Sequence, residues 1–253
     1  MSGSAVILKP ATETTEVGWA LACALWEGGV PRDVLQFVSC PGDPVGSRLV
    51  SDPRVDGVIL TGGTSTAQTF VDLRPDLRLY AETGGKDSLI VTSMADVDLA
   101  ILDAVHSAFG HAGQKCSACS LLICEAEVYD DPTFESRLVD CARSLPVGST
   151  WEAKSVIPPL IHPPRGDLER GLTTLDDGER WALEPRADPD NPCLWTPGIR
   201  WGVTGGAYAH RTEFFGPVLS VMRANDLDHA LELANATEYG LTAGIHTLDE
   251  REK

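Results

Sequence analysis

The segment Phe109–Ser120, FGHAGQKCSACS, concentrates the chemistry of this chain. Cys116 and Cys119 stand in C-x-x-C spacing, with Cys124 five residues on. Three chemistries fit. Cys116, Cys119 and Cys124 with His111 offer four zinc ligands, although no second C-x-x-C or H-x-x-x-H pair lies elsewhere to match the usual two-pair pattern. A thiol–disulfide pair has the spacing too, but such pairs usually follow the first strand of a small βαβ domain, and this one lies in mid-chain. A single nucleophile is the third. A thiolate attacks carbonyl carbon well, and its pKa falls near backbone N–H groups or a positive charge. Gly113-Gln114-Lys115 is a small turn that could aim N–H groups at the Cys116 sulfur; Cys119 and Cys124 are then buried thiols.

Other reactive types lie at the ends of likely strands. Glu82 ends an apolar run 34 residues before Cys116, beside Gly84-Gly85 in AETGGKDSLIV. Glycines there let a flat ring approach the backbone. EFFGPVLSV adds Glu213 and Phe215 beside Gly216-Pro217.

The elements that must hold these residues alternate. Apolar runs at 5–10, 34–40 and 55–63 read as strands, and 77–92 as two strands broken at Gly84-Gly85. Helical spacing runs through 15–29, 65–74, 94–109, 132–145 and 226–240, with a short helix possible at 44–52. Gly28-Gly29 and Gly240 read as helix stops and Asp226 as an N-cap. The cysteine segment reads as a helix or strand after a glycine-containing turn. Residues 158–200, rich in Pro, Asp and Arg, read as loops with short elements; 216–224 and 241–249 read as strands. This β-α-β alternation predicts an α/β fold built on a doubly wound parallel sheet. Ligands of such sheets sit beyond the strand carboxyl ends, where Lys9, Gly62, Gly63 and Glu82 fall.

Composition narrows the partners. The 253 residues are 43% hydrophobic and 23% charged, enough for a sizeable core, with a net charge of −17. That charge excludes a nucleic-acid backbone as partner and disfavours an anionic membrane. It does not oppose a dinucleotide, which is held mainly by backbone N–H groups at a helix N-terminus. No apolar run reaches the roughly 20 residues of a membrane span, and MSGSAVILKP lacks the pattern of a signal peptide. Seven scattered cysteines, an odd number, point to a reducing compartment such as the cytoplasm.

Taken in order, VILKP, TGGTSTA, ETGGK, GQKCSA, EFFGPV and ANATEYGLTAGIHT resemble the aldehyde dehydrogenase superfamily over nearly the whole chain. The resemblance implies that Cys116 is the nucleophile and Glu82 the general base. It implies NAD as cofactor, with Lys9 at the adenine-side ribose, Gly62 and Gly63 at the pyrophosphate, Gly84 beside the nicotinamide, and Glu213 and Phe215 at the nicotinamide ribose. No metal is implied. SAFGHAGQKCSACS, PPLIHPP, GERWALEP and the run from His210 to Glu252 look most like the pyrroline-5-carboxylate dehydrogenase half of bifunctional proline-utilisation proteins. That branch implies oxidation of L-glutamate γ-semialdehyde to L-glutamate, with Ser117 near the substrate carboxylate and Phe109 packed nearby. The resemblance further implies a division into 1–83, an NAD-binding portion truncated at its N-terminal side, and 84–253, a catalytic portion truncated at its C-terminal side, and a homo-oligomer in the full-length form. Three positions depart from the family pattern: Gly63 where Ser is usual, Ala67 where Gly is frequent, and Thr12 where an acid often follows KPA. The family's oxyanion-stabilising asparagine precedes the VILKP strand, and its C-terminal substrate loop and oligomerisation strand follow the last residues here. The chain is therefore expected to be a fragment of such an enzyme, and a non-catalytic role in binding NAD or a partner subunit is the competing expectation.

Overall fold

The computed structural model describes residues 3–252. The chain divides into two compact units, Met1–Thr83 and Gly84–Lys253.

The first unit is two β-α-β crossovers. Strand β1 (Val6–Leu8) pairs parallel with β2 (Leu35–Phe37) across helix α1 (Thr15–Glu27). Strand β3 (Gly57–Thr61) pairs parallel with β4 (Arg78–Glu82) across α3 (Thr64–Leu73), and the short α2 (Ser47–Ser51) lies between the crossovers. The parallel pairing follows the sequence pattern. The strands nevertheless form two separate two-stranded sheets, not one continuous sheet. These apolar runs are not buried either: Val6 and Ile7 are exposed, and Ile59 in β3 is 86% exposed. An apolar run predicts burial only where another element covers it. Around α1 the apolar contacts are aromatic: the Trp19 ring meets Trp26 and Phe37 edge-on, and Trp26 donates its indole N–H to the Leu35 carbonyl at 2.9 Å.

The second unit carries the main core. Its six-stranded sheet runs β10 (Ala243–His246), β5 (Ser88–Val91), β6 (Leu121–Glu125), β9 (Val218–Ala224), β8 (Gly198–Trp201) and β7 (Arg180–Leu183). All neighbours are parallel except β7 and β8. Side chains alternate across the sheet. On β6, Leu122 and Cys124 enter one core cluster while Leu121 and Ile123 enter the other. On β9, Leu219 and Val221 join the first, and Val218, Met222 and Ala224 the second. Both faces are thus buried, which is why these strands read as continuous apolar runs. Each fully buried Leu, Ile or Val side chain contributes about 1.5–3 kcal/mol.

Helices cover both faces. On one, α4 (Val97–Phe109) presents Ala100, Ile101, Ala104, Val105 and Ala108 at helical spacing, and α6 (Phe134–Arg143) adds Phe134, Leu138 and Ala142. The Asp96 carboxylate accepts the Leu99 N–H and caps α4. On the other, α9 (Leu227–Asn235) brings Ala230 and Leu233, and its Asp226 cap accepts the His229 N–H at 2.8 Å. Helix α9 ends at Asn235, not at Gly240; the Asn235 amide donates back to the Leu231 carbonyl at 2.8 Å and closes the last turn. The segment 158–200, expected as loops with short elements, supplies α7 (Asp167–Thr173), β7 and β8. The four-residue helices α5 (Ala126–Tyr129) and α8 (Tyr208–Arg211) complete the unit.

Candidate active site

Between α4 and β6 the backbone turns left-handed three times in succession, at His111 (φ 54°), Ala112 (φ 54°) and Gly113 (φ 66°). Only glycine takes this region freely; a non-glycine residue held there costs about 1–3 kcal/mol and persists where surrounding structure over-determines it. The chain then makes a tight turn from Lys115 to Ala118, closed by the Ala118 N–H to the Lys115 carbonyl at 3.1 Å. Cys116 and Ser117 are the two central residues of that turn. Cys116 is half-buried and Ser117 exposed.

The other two cysteines are set differently. Cys119 and Cys124 are buried, and burial pushes the Cys119 thiol up to about 12 and the Cys124 thiol higher still. A buried neutral thiol is a poor nucleophile and a poor ligand. Among the described residues, no group of three or more His, Cys, Asp or Glu is placed to hold a metal ion, and all seven cysteines are free. Only Cys124 lies on a strand; Cys116 and Cys119 are in the loop, not on the helix or strand the cysteine segment suggested.

The EFFGP segment faces this turn. Phe215 is left-handed (φ 54°), and its ring is 39% exposed. A side chain on Gly113 would run into the Gly216 carbonyl, so the two backbones meet with no room for a Cβ. Helix α7 supports the segment from behind, since Gly171 packs under the Phe214 ring and Leu168 against Gly216. Gly85, Lys115, Ser120, Glu213 and Phe215 line a small cleft here, with Cys119 in its floor.

Glu213 is placed on the glycine pair. Its Oε1 accepts the Gly85 N–H at 3.1 Å, and its carboxylate fills the space a Gly84 side chain would need. Burial raises its pKa, opposed by the Gly85 N–H bond. A Cβ on Gly85 would lie 2.7 Å from the Cys116 carbonyl. Gly84, Gly85, Glu213, Phe215 and Cys116 are therefore brought together. Phe109 is not exposed to any ligand: it ends α4 fully buried in the first core cluster.

Three residues here are given no role of their own by the sequence. Lys86 is 4% exposed, its Nζ has no hydrogen-bond partner, and it lies 4.9 Å from the centre of the Phe214 ring. Burial lowers it to about 7. Asp87 beside it accepts the Thr242 N–H at 2.9 Å and is raised by burial. Their signal was available: two opposite charges immediately before an apolar strand. The third, Gln114, holds two distant backbone groups, as set out below.

The first unit holds the remaining candidates. Thr61 and Glu82 are register partners at the carboxyl ends of β3 and β4, and the Gly62 N–H donates to the Glu82 carbonyl at 3.1 Å. Gly62, Gly63 and Glu82 thus share one end of that pair, all exposed. Gly63 is the N-cap of α3 with no side chain capping the helix. Lys9 follows β1 directly, exposed, its Nζ 3.3 Å from the Pro10 carbonyl.

The model of the aldehyde dehydrogenase family matches residues 1–253. The 1-pyrroline-5-carboxylate dehydrogenase of Geobacillus thermodenitrificans is 35% identical over 256 residues, which cover 97% of this chain and 49% of that protein. Proline utilization A from Corynebacterium freiburgense superposes with a TM-score of 0.95 at 45% identity, covering 99% of this chain and 26% of that one. An NAD-dependent aldehyde dehydrogenase from Sinorhizobium meliloti gives a TM-score of 0.92 at 31% identity, covering 99% of this chain and 50% of that one. The chain spans about half the length of the curated relatives it matches. No helix among the described residues is long and apolar enough to cross a membrane.

Proposed function

The chain belongs to the aldehyde dehydrogenase family, and on that premise we propose that it serves the NAD-dependent oxidation of L-glutamate γ-semialdehyde to L-glutamate. The observation that carries this reading is the Lys115–Ala118 turn, which sets the Cys116 carbonyl beside Gly85, next to the cleft that Gly85, Lys115, Glu213 and Phe215 line.

Each residue has a task. Cys116 Sγ forms a bond to the aldehyde carbon, its proton leaves, and the carbonyl oxygen takes up the electron pair. The chemistry required of a bound nicotinamide dinucleotide is hydride acceptance, which leaves the carbon at the acyl level on sulfur. Glu82 takes a proton from water as the water oxygen bonds to that carbon; the C–S bond then breaks and Cys116 departs as thiolate. Glu82 enters this scheme by its motif, AETGGK, at the end of β4. Ser117, exposed beside the nucleophile, is suited to hold the substrate carboxylate by its hydroxyl, and Phe109, buried at the end of α4, serves as packing for the segment that leads to the turn.

The residues present fit a dinucleotide. An uncapped helix N-terminus behind two exposed glycines, as at Gly62, Gly63 and α3, is the usual setting for a pyrophosphate. Lys9 would reach the adenine-side ribose, and Glu213 and Phe215, with Gly84 between the backbone and the ring, the nicotinamide side. The proposed assignment of units follows: 1–83 for the dinucleotide and 84–253 for catalysis. The free state of all seven cysteines suits the cytoplasm, and association into homo-oligomers is proposed for the full-length form.

The test is NADH formation by the purified chain with pyrroline-5-carboxylate, alongside Cys116→Ala. Turnover that disappears in the variant is expected. A folded, dinucleotide-binding chain without turnover would overturn the catalytic reading of this chain and leave the binding one.

A further inference from the structure

Gln114 joins three segments that are far apart in sequence. Its Nε2 donates to the Phe215 carbonyl at 3.3 Å, and its Oε1 accepts the Ile161 N–H at 3.0 Å. The two partners fix which end of the amide is which, because a carbonyl can only accept and an N–H only donate. Gln114 itself lies between the left-handed run His111–Gly113 and the turn that carries Cys116. Its Phe215 bond reaches the one other non-glycine residue with positive φ among those described. Strained backbone stays in place where its neighbours leave no alternative. The Gly113–Gly216 approach supplies one such constraint through van der Waals contact. The Gln114 amide supplies the other through a directional bond.

We propose that Gln114 is a positioning residue that keeps the Phe215 ring and the Cys116 turn in one register, so that one directional bond ties the nucleotide side of the cleft to the turn that carries the thiol. The nucleotide part rests on the function proposed above. Both bonds of the Gln114 amide go to backbone groups; it acts by holding the Phe215 backbone, and thereby the direction in which the Phe215 side chain points. Its second bond anchors the 158–166 loop to the same point, which makes the amide the meeting place of all three segments.

The test separates the two bonds. Gln114→Glu keeps an acceptor for Ile161 and loses the donor to Phe215; Gln114→Met loses both at similar length. Two readouts are taken on the full chain: NADH affinity from its fluorescence, and the rate at which iodoacetamide alkylates Cys116 without cofactor, located by peptide mass. Thermal unfolding confirms that each variant is folded. Both variants are expected to weaken NADH by about tenfold and to change the alkylation rate at least threefold, with Gln114→Glu no milder than Gln114→Met. In a double-mutant cycle the effect of Gln114→Glu on NADH is expected to vanish in a Phe215→Ala background, since a displaced backbone then carries no ring. Full additivity with Phe215→Ala, or a Gln114→Glu chain matching the parent in both readouts, would overturn the proposal and leave Gln114 as an anchor of the 158–166 loop. If the parent chain binds no NADH, the function proposed above fails, and the alkylation rates alone decide whether Gln114 sets the thiol turn.

Discussion

The Glu213 carboxylate occupies the space that a side chain on Gly84 would need. The glycine is required here for close approach and not for an unusual backbone angle, and the acid is held by the next N–H, that of Gly85. Gly84→Ala must therefore push Glu213 off its seat. We expect a destabilisation of about 1–3 kcal/mol, the usual cost of overpacking, read from urea unfolding followed by tryptophan fluorescence. NADH affinity should fall in the same variant. Unchanged stability and affinity together would show that Glu213 rests elsewhere.

The three cysteines of the opening segment should differ sharply toward an alkylating agent. Cys116 is half-buried in a turn, whereas Cys119 and Cys124 are enclosed, and burial holds the Cys119 thiol near about 12. At pH 8 the native chain is expected to label at Cys116 at least tenfold faster than at Cys119 or Cys124. The two buried thiols should label only after denaturation. Peptide mapping over time measures this, and early labelling of Cys119 would contradict the packing described.

Lys86 gives the stability a pH dependence of known sign. Burial lowers it to about 7 in the folded chain, against about 10.4 when unfolded. Between those values the unfolded chain binds more protons, so stability rises with pH from about 7 to about 10 on this account. Below 7 both states carry the proton and the full penalty of the buried charge applies. Lys86→Met should remove that penalty. The variant is expected to be more stable than the parent at pH 7, by on the order of a few kcal/mol at one pKa unit per about 1.4 kcal/mol. The difference should shrink toward pH 10. Urea midpoints at pH 7 and pH 9.5 suffice, and a parent–variant gap that does not change with pH would refute the account.

Much of the second unit was legible because its signals are local or periodic. Asp226 and the apolar positions Ala230 and Leu233 mark α9 as a capped amphipathic helix. The break at Gly84-Gly85 separates β4 from β5 as the sequence suggests. The 158–200 segment resisted reading for a physical reason: Arg200 interrupts the apolar pattern of β8. It is buried because Glu179 pairs with its Nε and Nη2 and the Gly171 and Thr174 carbonyls accept from its Nη1. Such long-range satisfaction leaves no mark on the local pattern. The end of α9 was misplaced because Gly240 is a strong stop signal, while the apolar periodicity that sustains the helix had already run out.

At the candidate site, residue types and order single out Cys116, Glu213 and Phe215, which the structure places near one another, but not how they are held. Histidine is enriched at positive φ but alanine is not, so the pair His111-Ala112 does not foretell a left-handed run through both. Gln114 was visible only as part of a turn, because its partners lie 47 and 101 residues away. The separate strand pairs of the first unit were equally hidden, since an apolar run says that a strand wants cover without saying what covers it.

The left-handed run also bears on how this chain can evolve. His111, Ala112 and Phe215 hold a backbone hand that L-residues disfavour. Glycine at any of them would relax the backbone and free it to leave that hand. A selection for heat tolerance alone would find these positions attractive, and each success would loosen the bend that aims the thiol. Residues other than glycine at these three positions trade backbone ease for a fixed bend, and the handedness of three residues is where that compromise is written.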